Sequence, residues 1–229
     1  MSVEGPLVQE MFDRIAGRYD RANRIMSAGV DILWRGQAIR SLLAGLGPAP
    51  CALDLGAGTL DGAIAILRRR PAARVLAADF SRNMLAVGKG KKAAGAVAAQ
   101  VADAHALPYP NGVFDAAFSA FCVRNLRDVV LAMRELRRVV RSGGRVVILE
   151  FFRPAGRRLF WDGIYNAHVL PLLGRAVTGD AAAYRYLPES IARFLSRQEF
   201  EALLRAAGFA EVAGRELFPG GIASLVVAT

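Results

Sequence analysis

The run Cys51-Ala-Leu-Asp-Leu-Gly-Ala-Gly-Thr-Leu-Asp61 carries one acid into a pair of glycines and breaks directly into a helical pattern, Ala63 to Arg70. Gly56 and Gly58 allow a ligand to approach the backbone closely, and the unpaired N–H groups of a helix start attract electron-rich groups. Asp79 follows Gly58 by roughly twenty residues, the distance at which an acid is placed to accept hydrogen bonds from ribose hydroxyls. Asp54, Asp79 and Asp103 each fall at or near the end of an apolar run. Together these residues can hold a sugar and a base beside a tight bend. The third glycine of the dinucleotide-binding pattern is absent, because Leu60 stands in its place.

Elements that would position this set alternate along the chain. Residues 7–44 read as helices, with Met11, Phe12, Ile15, Ala16 and Tyr19 at helical spacing and a second pattern from Ile32 to Leu43. After a linker over Gly45 to Pro50 come strands at Cys51–Leu55, Arg74–Ala78, Val97–Ala102, Phe114–Ala120 and Arg145–Phe151. Between them lie the helix Ala63–Arg70, a helix from Arg82 capped by Ser81, and a helix from Arg127 to Val140. Residues 153–195 break the rhythm with apolar, aromatic and arginine residues, as a lid would. A helix Arg197–Ala207, strands Ala210–Leu217 and Ile222–Ala228, and a Pro219-Gly-Gly221 turn close the chain as an antiparallel hairpin.

The pattern predicts an α/β, Rossmann-like fold: a mostly parallel seven-stranded sheet with a C-terminal antiparallel hairpin, N-terminal helices and an inserted lid. One domain over 1–229 is expected, with a helical cap over 1–48, a ligand-binding core over 49–152, a lid over 153–196 and a C-terminal helix and hairpin over 197–229. Ligands of open parallel sheets bind outside the carboxyl ends of the strands, where strand order reverses. A nicotinamide cofactor would require the full glycine triplet around its pyrophosphate. S-adenosylmethionine has ribose and adenine without pyrophosphate, and it fits a turn that ends in Leu60.

Composition narrows the partners. The chain has 229 residues, 54% of them hydrophobic, and a formal net charge of +10. Nearly all the cations are arginines spread over many predicted faces, and the dense cluster Arg134 to Arg145 comes without a nucleic-acid-binding module, so no nucleic-acid partner is expected. Cys51 and Cys122 lack metal-ligand spacing and suit a reducing compartment; neither zinc nor a disulfide is implied. The opening Met1-Ser-Val-Glu-Gly-Pro6 lacks the regions of a signal peptide, and no apolar run reaches the roughly 18–20 residues of a span. A cytoplasmic protein is expected, with peripheral contact at the inner face of the membrane left open.

The chain resembles the ubiquinone/menaquinone biosynthesis C-methyltransferases along nearly its whole length. The likeness rests on Met11-Phe-Asp-Arg-Ile-Ala-Gly-Arg-Tyr-Asp20, Asn23, Met26-Ser27 and Leu33-Trp34, then on Asp103-Ala-His-Ala-Leu-Pro108 and Asn111-Gly-Val-Phe-Asp115. Phe121-Cys-Val-Arg-Asn125 and Leu149-Glu-Phe-Phe-Arg-Pro154 continue it. His168-Val-Leu-Pro171 and Tyr184-Arg-Tyr-Leu-Pro-Glu-Ser-Ile191 are its most specific parts. The resemblance implies transfer of the methyl of S-adenosylmethionine to a ring carbon of a polyprenylated quinol. It implies cofactor contacts at Thr59, Asp79, Asp103 and Ala104, with Asp54, Gly56, Gly58, Phe80, Ala120 and Tyr19 around them. Arg124 and Asn125 match a pair near the reacting quinol, Tyr19 borders both ligands, and His168 joins them as a catalytic candidate. No metal is implied, and the oligomeric state, including a homodimer, is left open.

A ring carbon attacks a sulfonium well only as the neighbouring hydroxyl gives up its proton. Arginine is a poor base, since its pKa stays above about 12, but it stabilises an oxyanion. Asp20, His168, or a water relayed to Asp79 remain alternatives for the base. The chain departs from the family's pattern at Leu60, which should crowd the turn, and at Ala120 and Cys122, where a glycine lost beside the cofactor should reshape the pocket. A different small phenolic acceptor, or a non-catalytic assembly role with the Arg134–Arg145 face as a docking surface, stays open on these grounds.

Overall fold

The computed structural model describes residues 5–154, 181–217 and 223–229, with side chains from Val8 in the first stretch and from Tyr186 in the second. Helices α1 (Gly5–Met26) and α2 (Val30–Leu43) precede β1 (Cys51–Leu55), α3 (Asp61–Arg69), β2 (Arg74–Asp79), α4 (Arg82–Lys89) and β3 (Ala98–Val101). Then come β4 (Phe114–Ala120), α5 (Val129–Val139), β5 (Val140–Glu150), α6 (Ala181–Arg193), α7 (Arg197–Ala206), β6 (Val212–Glu216) and β7 (Ser224–Ala228). They form a 7-stranded sheet in the order β3-β2-β1-β4-β5-β7-β6. The first five strands are parallel, and β7 runs antiparallel between β5 and β6. This is the expected architecture, with the last strand inserted into the sheet rather than added at its edge.

Alternation along each strand divides the core. On β1, Ala52 joins Trp34, Ile39, Leu42, Ile66 and Phe118 on the face covered by α2 and α3, whereas Leu53 and Leu55 join Met133, Leu136, Phe200 and Leu204 under α5 and α7. Each such fully buried aliphatic or aromatic side chain contributes about 1.5–3 kcal/mol of transfer free energy. Local caps fix where the helices start. Ser81 Oγ accepts from Met84 N–H at 3.1 Å, Asp128 accepts from Leu131 N–H at 2.9 Å, and Ser196 forms a capping box with Glu199.

Boundaries moved where tertiary pairing intervened. Val140 pairs with Phe114, so β5 begins before the Ser142-Gly-Gly144 turn and shifts register between Phe114 and Ala116. The Pro219-Gly-Gly221 turn lies outside the described residues. Several arginines of the Arg134–Arg145 cluster tie loops down. Arg138 pairs with Glu135 and donates to the Leu107 and Tyr109 carbonyls, Arg141 pairs with Asp115, and Arg145 donates to the Ser41 and Ala44 carbonyls.

Leu60 does not crowd the turn's open side. It adopts a left-handed φ of 67°, is fully buried, and packs beneath the turn on Gly88. A left-handed leucine costs roughly 1–2 kcal/mol, offset here by burial of its side chain. A Cβ on Gly88 would lie 2.5 Å from Leu60 Cγ and 2.8 Å from the Thr59 carbonyl carbon. Gly88→Ala should therefore destabilise the protein by about 1–3 kcal/mol in urea unfolding, and weaken cofactor binding by moving the turn; an unchanged midpoint would contradict this packing.

Candidate active site

Chain order reverses between β1 and β4, and a cavity of about 470 Å³ opens at their carboxyl ends. The β1–α3 turn forms its floor, with Gly56 at φ 67° and Gly58 at φ 50°. A Cβ on Gly56 would fall 2.1 Å from Cys122 Sγ, so the cysteine expected to reshape the pocket is seated in the space that Gly56 leaves. Burial pushes the Cys122 thiol pKa up, leaving it an uncharged packing group.

Asp79 ends β2 with its carboxylate turned onto this floor. Oδ2 accepts from Gly58 N–H and Oδ1 from Ser81 N–H, both at 2.8 Å. These bonds lock the rotamer, and each oxygen keeps a lone pair for a further donor. Burial raises the Asp79 pKa against the opposing pull of the two N–H groups. Phe80 and Ala104 line the same wall with Asp103. His105 N–H donates to Asp103 Oδ1 at 2.9 Å, its ring Nδ1 lies 2.5 Å from the same oxygen, and its Nε2 accepts from Asp128 N–H at 3.1 Å. This geometry assigns the proton to Nδ1 and clamps the imidazole between the two loops. Burial acts to raise the Asp103 pKa, but the bonds from His105 outweigh it and hold the acid below its ordinary range. A glycine cradle, a two-lone-pair acid and an apolar slot ending in Asp103 fit an adenosine-bearing ligand.

Asp54 sits beneath the turn and not on the main cavity. Its Oδ2 accepts from Ala63 N–H at 2.7 Å, and Gly62 must lack a side chain because a Cβ there would meet that oxygen at 2.6 Å. Burial raises its pKa from 3.8 to about 7. The sign follows: between those values the folded chain holds a proton that the unfolded chain has released, so this group's contribution to stability is full below pH 4 and lost as pH rises through 7. From pH 5 to pH 8 the loss is on the order of 2–3 kcal/mol. Asp54→Asn should flatten that decline in urea titrations at the two pH values, and an unaltered slope would remove Asp54 as its source.

Tyr19 of α1 and Asn125 both line the cavity as well, with the Tyr19 side chain hydrogen-bonded to Asn23. Phe121, the residue that turns the chain out of β4, has a strained φ of 55° for an aromatic side chain. Its carbonyl accepts from Arg124 Nη1 at 2.8 Å and from Asn125 Nδ2 at 3.3 Å. Arg124 stands one layer behind this wall, outside the lining. Nη1 pairs with Glu150 Oε1 at 2.6 Å, Nε donates to Ser190 Oγ at 3.3 Å, and the guanidinium lies 5.7 Å from the Phe151 ring centroid. Tyr186 of α6 donates to Asn125 Oδ1 at 2.9 Å. Burial raises the Tyr19 pKa, which keeps its proton available as a donor.

A second, smaller cavity of about 40 Å³ lies under the α1 side of the turn. Thr59 Oγ1 donates to Asp20 Oδ1 at 2.5 Å, and Lys91 bridges Asp20 and Asp61 at 2.6 and 2.7 Å. Arg24 joins Asp61 to Asp31. Both Asp20 oxygens are thus already engaged.

The structure brings Tyr19, Gly56, Gly58, Asp79, Phe80, Asp103, Ala104, Ala120 and Asn125 to one cavity, and places Asp54 and Thr59 on the smaller one. His168 lies outside the described residues. Phe152, just before the expected lid, is a core residue stacked on Phe194 at 5.7 Å between centroids. His105, Met84, Gln9 and Phe12 line the main cavity without having been singled out for it. Only the neighbourhood of His105 to Asp103-Ala104 signalled any of them in the sequence. Among the described residues no cluster could hold a metal ion, and no helix is long and apolar enough to cross a membrane.

The model of the ubiE/COQ5 methyltransferase family matches residues 1–229. A demethylmenaquinone methyltransferase of Thermus thermophilus is 42% identical over 95% of this chain and 98% of its own length. A ubiquinone/menaquinone biosynthesis C-methyltransferase UbiE of Geobacter sulfurreducens is 37% identical over 94% of this chain and 86% of its own length. Among solved structures, an S-adenosylmethionine-dependent methyltransferase of Thermotoga maritima superposes with a TM-score of 0.67 at 20% identity, covering 96% of this chain and 98% of that one, a likeness of fold. With a glycine cradle and an acid at the end of β2 to match, the chain belongs to the ubiE/COQ5 methyltransferase family and is an S-adenosylmethionine-dependent methyltransferase.

Proposed function

We propose that the protein methylates a ring carbon of a polyprenylated quinol, demethylmenaquinol or a methoxy-polyprenyl-benzoquinol, in quinone biosynthesis. The observation that carries this reading is one cavity with Asp79 on its floor at one end and a Tyr19–Asn125 wall backed by the Arg124 cation at the other. The names of the relatives support the same substrate class.

When bound, S-adenosylmethionine supplies an electrophilic methyl on a sulfonium sulfur. Asp79 holds the ribose hydroxyls, Phe80 and Ala104 flank the adenine, and Asp103 accepts from it. Thr59, Gly56, Gly58, Asp54 and Ala120 shape the bend at the sulfur end. Tyr19 and Asn125 hold the quinol hydroxyl at the wall. As that hydroxyl loses its proton, negative charge grows on its oxygen and spreads to the ring carbon. Arg124 stabilises that charge through the wall, as a cation held on Glu150 and on the Phe121 carbonyl that it shares with Asn125, rather than as a donor in direct contact with the oxygen. Asp20 is tied to Thr59 and Lys91, and both Asp79 oxygens are committed to Gly58, Ser81 and the ribose, which favours His168 as the proton acceptor. Holding carbon and methyl in line supplies much of the remaining acceleration. The apolar quinol would be met at a membrane surface, with the protein in peripheral contact, as a monomer or homodimer.

Incubation with methyl-labelled cofactor and a panel of short-chain benzoquinols and naphthoquinols tests the reading. Label should enter the ring of a demethylnaphthoquinol or a benzoquinol, and label on none of the quinols would refute it.

A further inference from the structure

Glu150, at the end of β5, is fully buried and faces neither cavity. All the neighbours bonded to its carboxylate are donors: Arg124 Nη1 at 2.6 Å, Phe151 N–H at 2.8 Å and Arg124 N–H at 3.3 Å. The carboxylate therefore meets both ends of Arg124, its backbone and its guanidinium. A buried ion pair adds little net stability, because desolvation offsets most of the Coulombic attraction. What such a pair does supply is direction. Arg124 would otherwise be free to swing toward solvent along its long side chain. Here Nη1 is shared between Glu150 and the strained Phe121 carbonyl, and Nε is held by Ser190 of α6. The same Phe121 carbonyl accepts from Asn125, so the position of Arg124 and that of the cavity wall are set together.

We propose that Glu150 is a positioning residue for methyl transfer: from inside β5 it fixes the Arg124 guanidinium behind the Tyr19–Asn125 wall, and turnover depends on it although it touches neither ligand. The proposal rests on the role of Arg124 given above.

Turnover of a short-chain demethylnaphthoquinol is measured with the full chain below the unfolding temperature of each variant, alongside calorimetric cofactor affinity. Glu150→Gln should lower kcat by about 30-fold or more, with the quinol KM and cofactor affinity within about threefold of the unsubstituted protein. Arg124→Gln combined with Glu150→Gln should be no slower than Arg124→Gln alone, because a residue acting through another adds nothing once that other is gone. Should Glu150→Gln fail to fold, Glu150→Asp keeps the buried charge but shortens its reach, and it should lower kcat with cofactor affinity kept. A kcat within threefold of the unsubstituted protein in either variant, or losses that multiply in the double variant, would overturn the proposal while leaving Arg124 in place. Retained turnover in Arg124→Gln would instead remove both roles.

Discussion

Asp79→Ala is expected to lower affinity for S-adenosylmethionine by a factor of about 10² to 10⁴. The acid ends β2 at the floor of the cavity, and its two oxygens already accept from Gly58 and Ser81 N–H groups at 2.8 Å. Each oxygen retains a lone pair for a ribose hydroxyl, and hydrogen bonds to a charged acceptor are worth about 1.5–3 kcal/mol each. Losing two gives the stated range. The substitution also strands the Gly58 and Ser81 donors, at about 1–3 kcal/mol apiece, so the turn loosens as well. Asp79→Asn separates the effects, since its amide oxygen still accepts one N–H bond while the charge is gone. Titration calorimetry with S-adenosylmethionine, with circular dichroism as the check of folding, measures both. Unchanged affinity in Asp79→Ala would mean that the cofactor does not sit on this floor.

The second large effect concerns the other end of the cavity. Arg124→Gln should reduce turnover with a demethylquinol by about 10²-fold, because it removes both the cation behind the wall and the bond to the Phe121 carbonyl that Arg124 shares with Asn125. Cofactor affinity should stay within a few-fold, because Arg124 is absent from the main cavity's lining and Asp79 is untouched. Arg124→Gln and Arg124→Ala both leave Glu150 buried without its cation, a state that costs about 3–5 kcal/mol; Gln keeps a donor for the carboxylate, and Arg124→Gln with Glu150→Gln, which removes both charges, controls for that cost. Single-turnover methyl transfer from labelled cofactor separates chemistry from binding. A variant that turns over normally would reduce Arg124 to a packing group and shift the chemistry to Tyr19 and Asn125.

What the residues determined unaided was the alternation of strands and helices, and with it the sheet. Cys51–Leu55 and Phe114–Ala120 are mostly apolar, as strands covered on both faces tend to be, and both appear with the bounds the pattern implied. Ser81 as a helix cap and Asp79 as the acid ending β2 were equally local, because capping and strand-end placement depend on a few neighbouring residues. The tertiary structure alone decided the rest. Leu60 looked like an obstruction because side-chain direction in a left-handed residue is not written in the residue type; only the space beside Gly88 shows that it turns inward. Cys122 depends in the same way on the missing Cβ of Gly56, 66 positions away in the chain. Asp54 and Asp79 read alike as acids near strand ends and share one face of the sheet, yet Asp54 pairs with Ala77 and bonds Ala63 N–H beneath the turn, whereas Asp79 stands two residues further along and bonds Gly58 N–H on it. Glu150 lay within a motif of the resemblance, Leu149–Pro154, but with no role attached to it. An acid at the end of an apolar strand acquires a role only when folding brings Arg124, from the turn after another strand, within 2.6 Å of it.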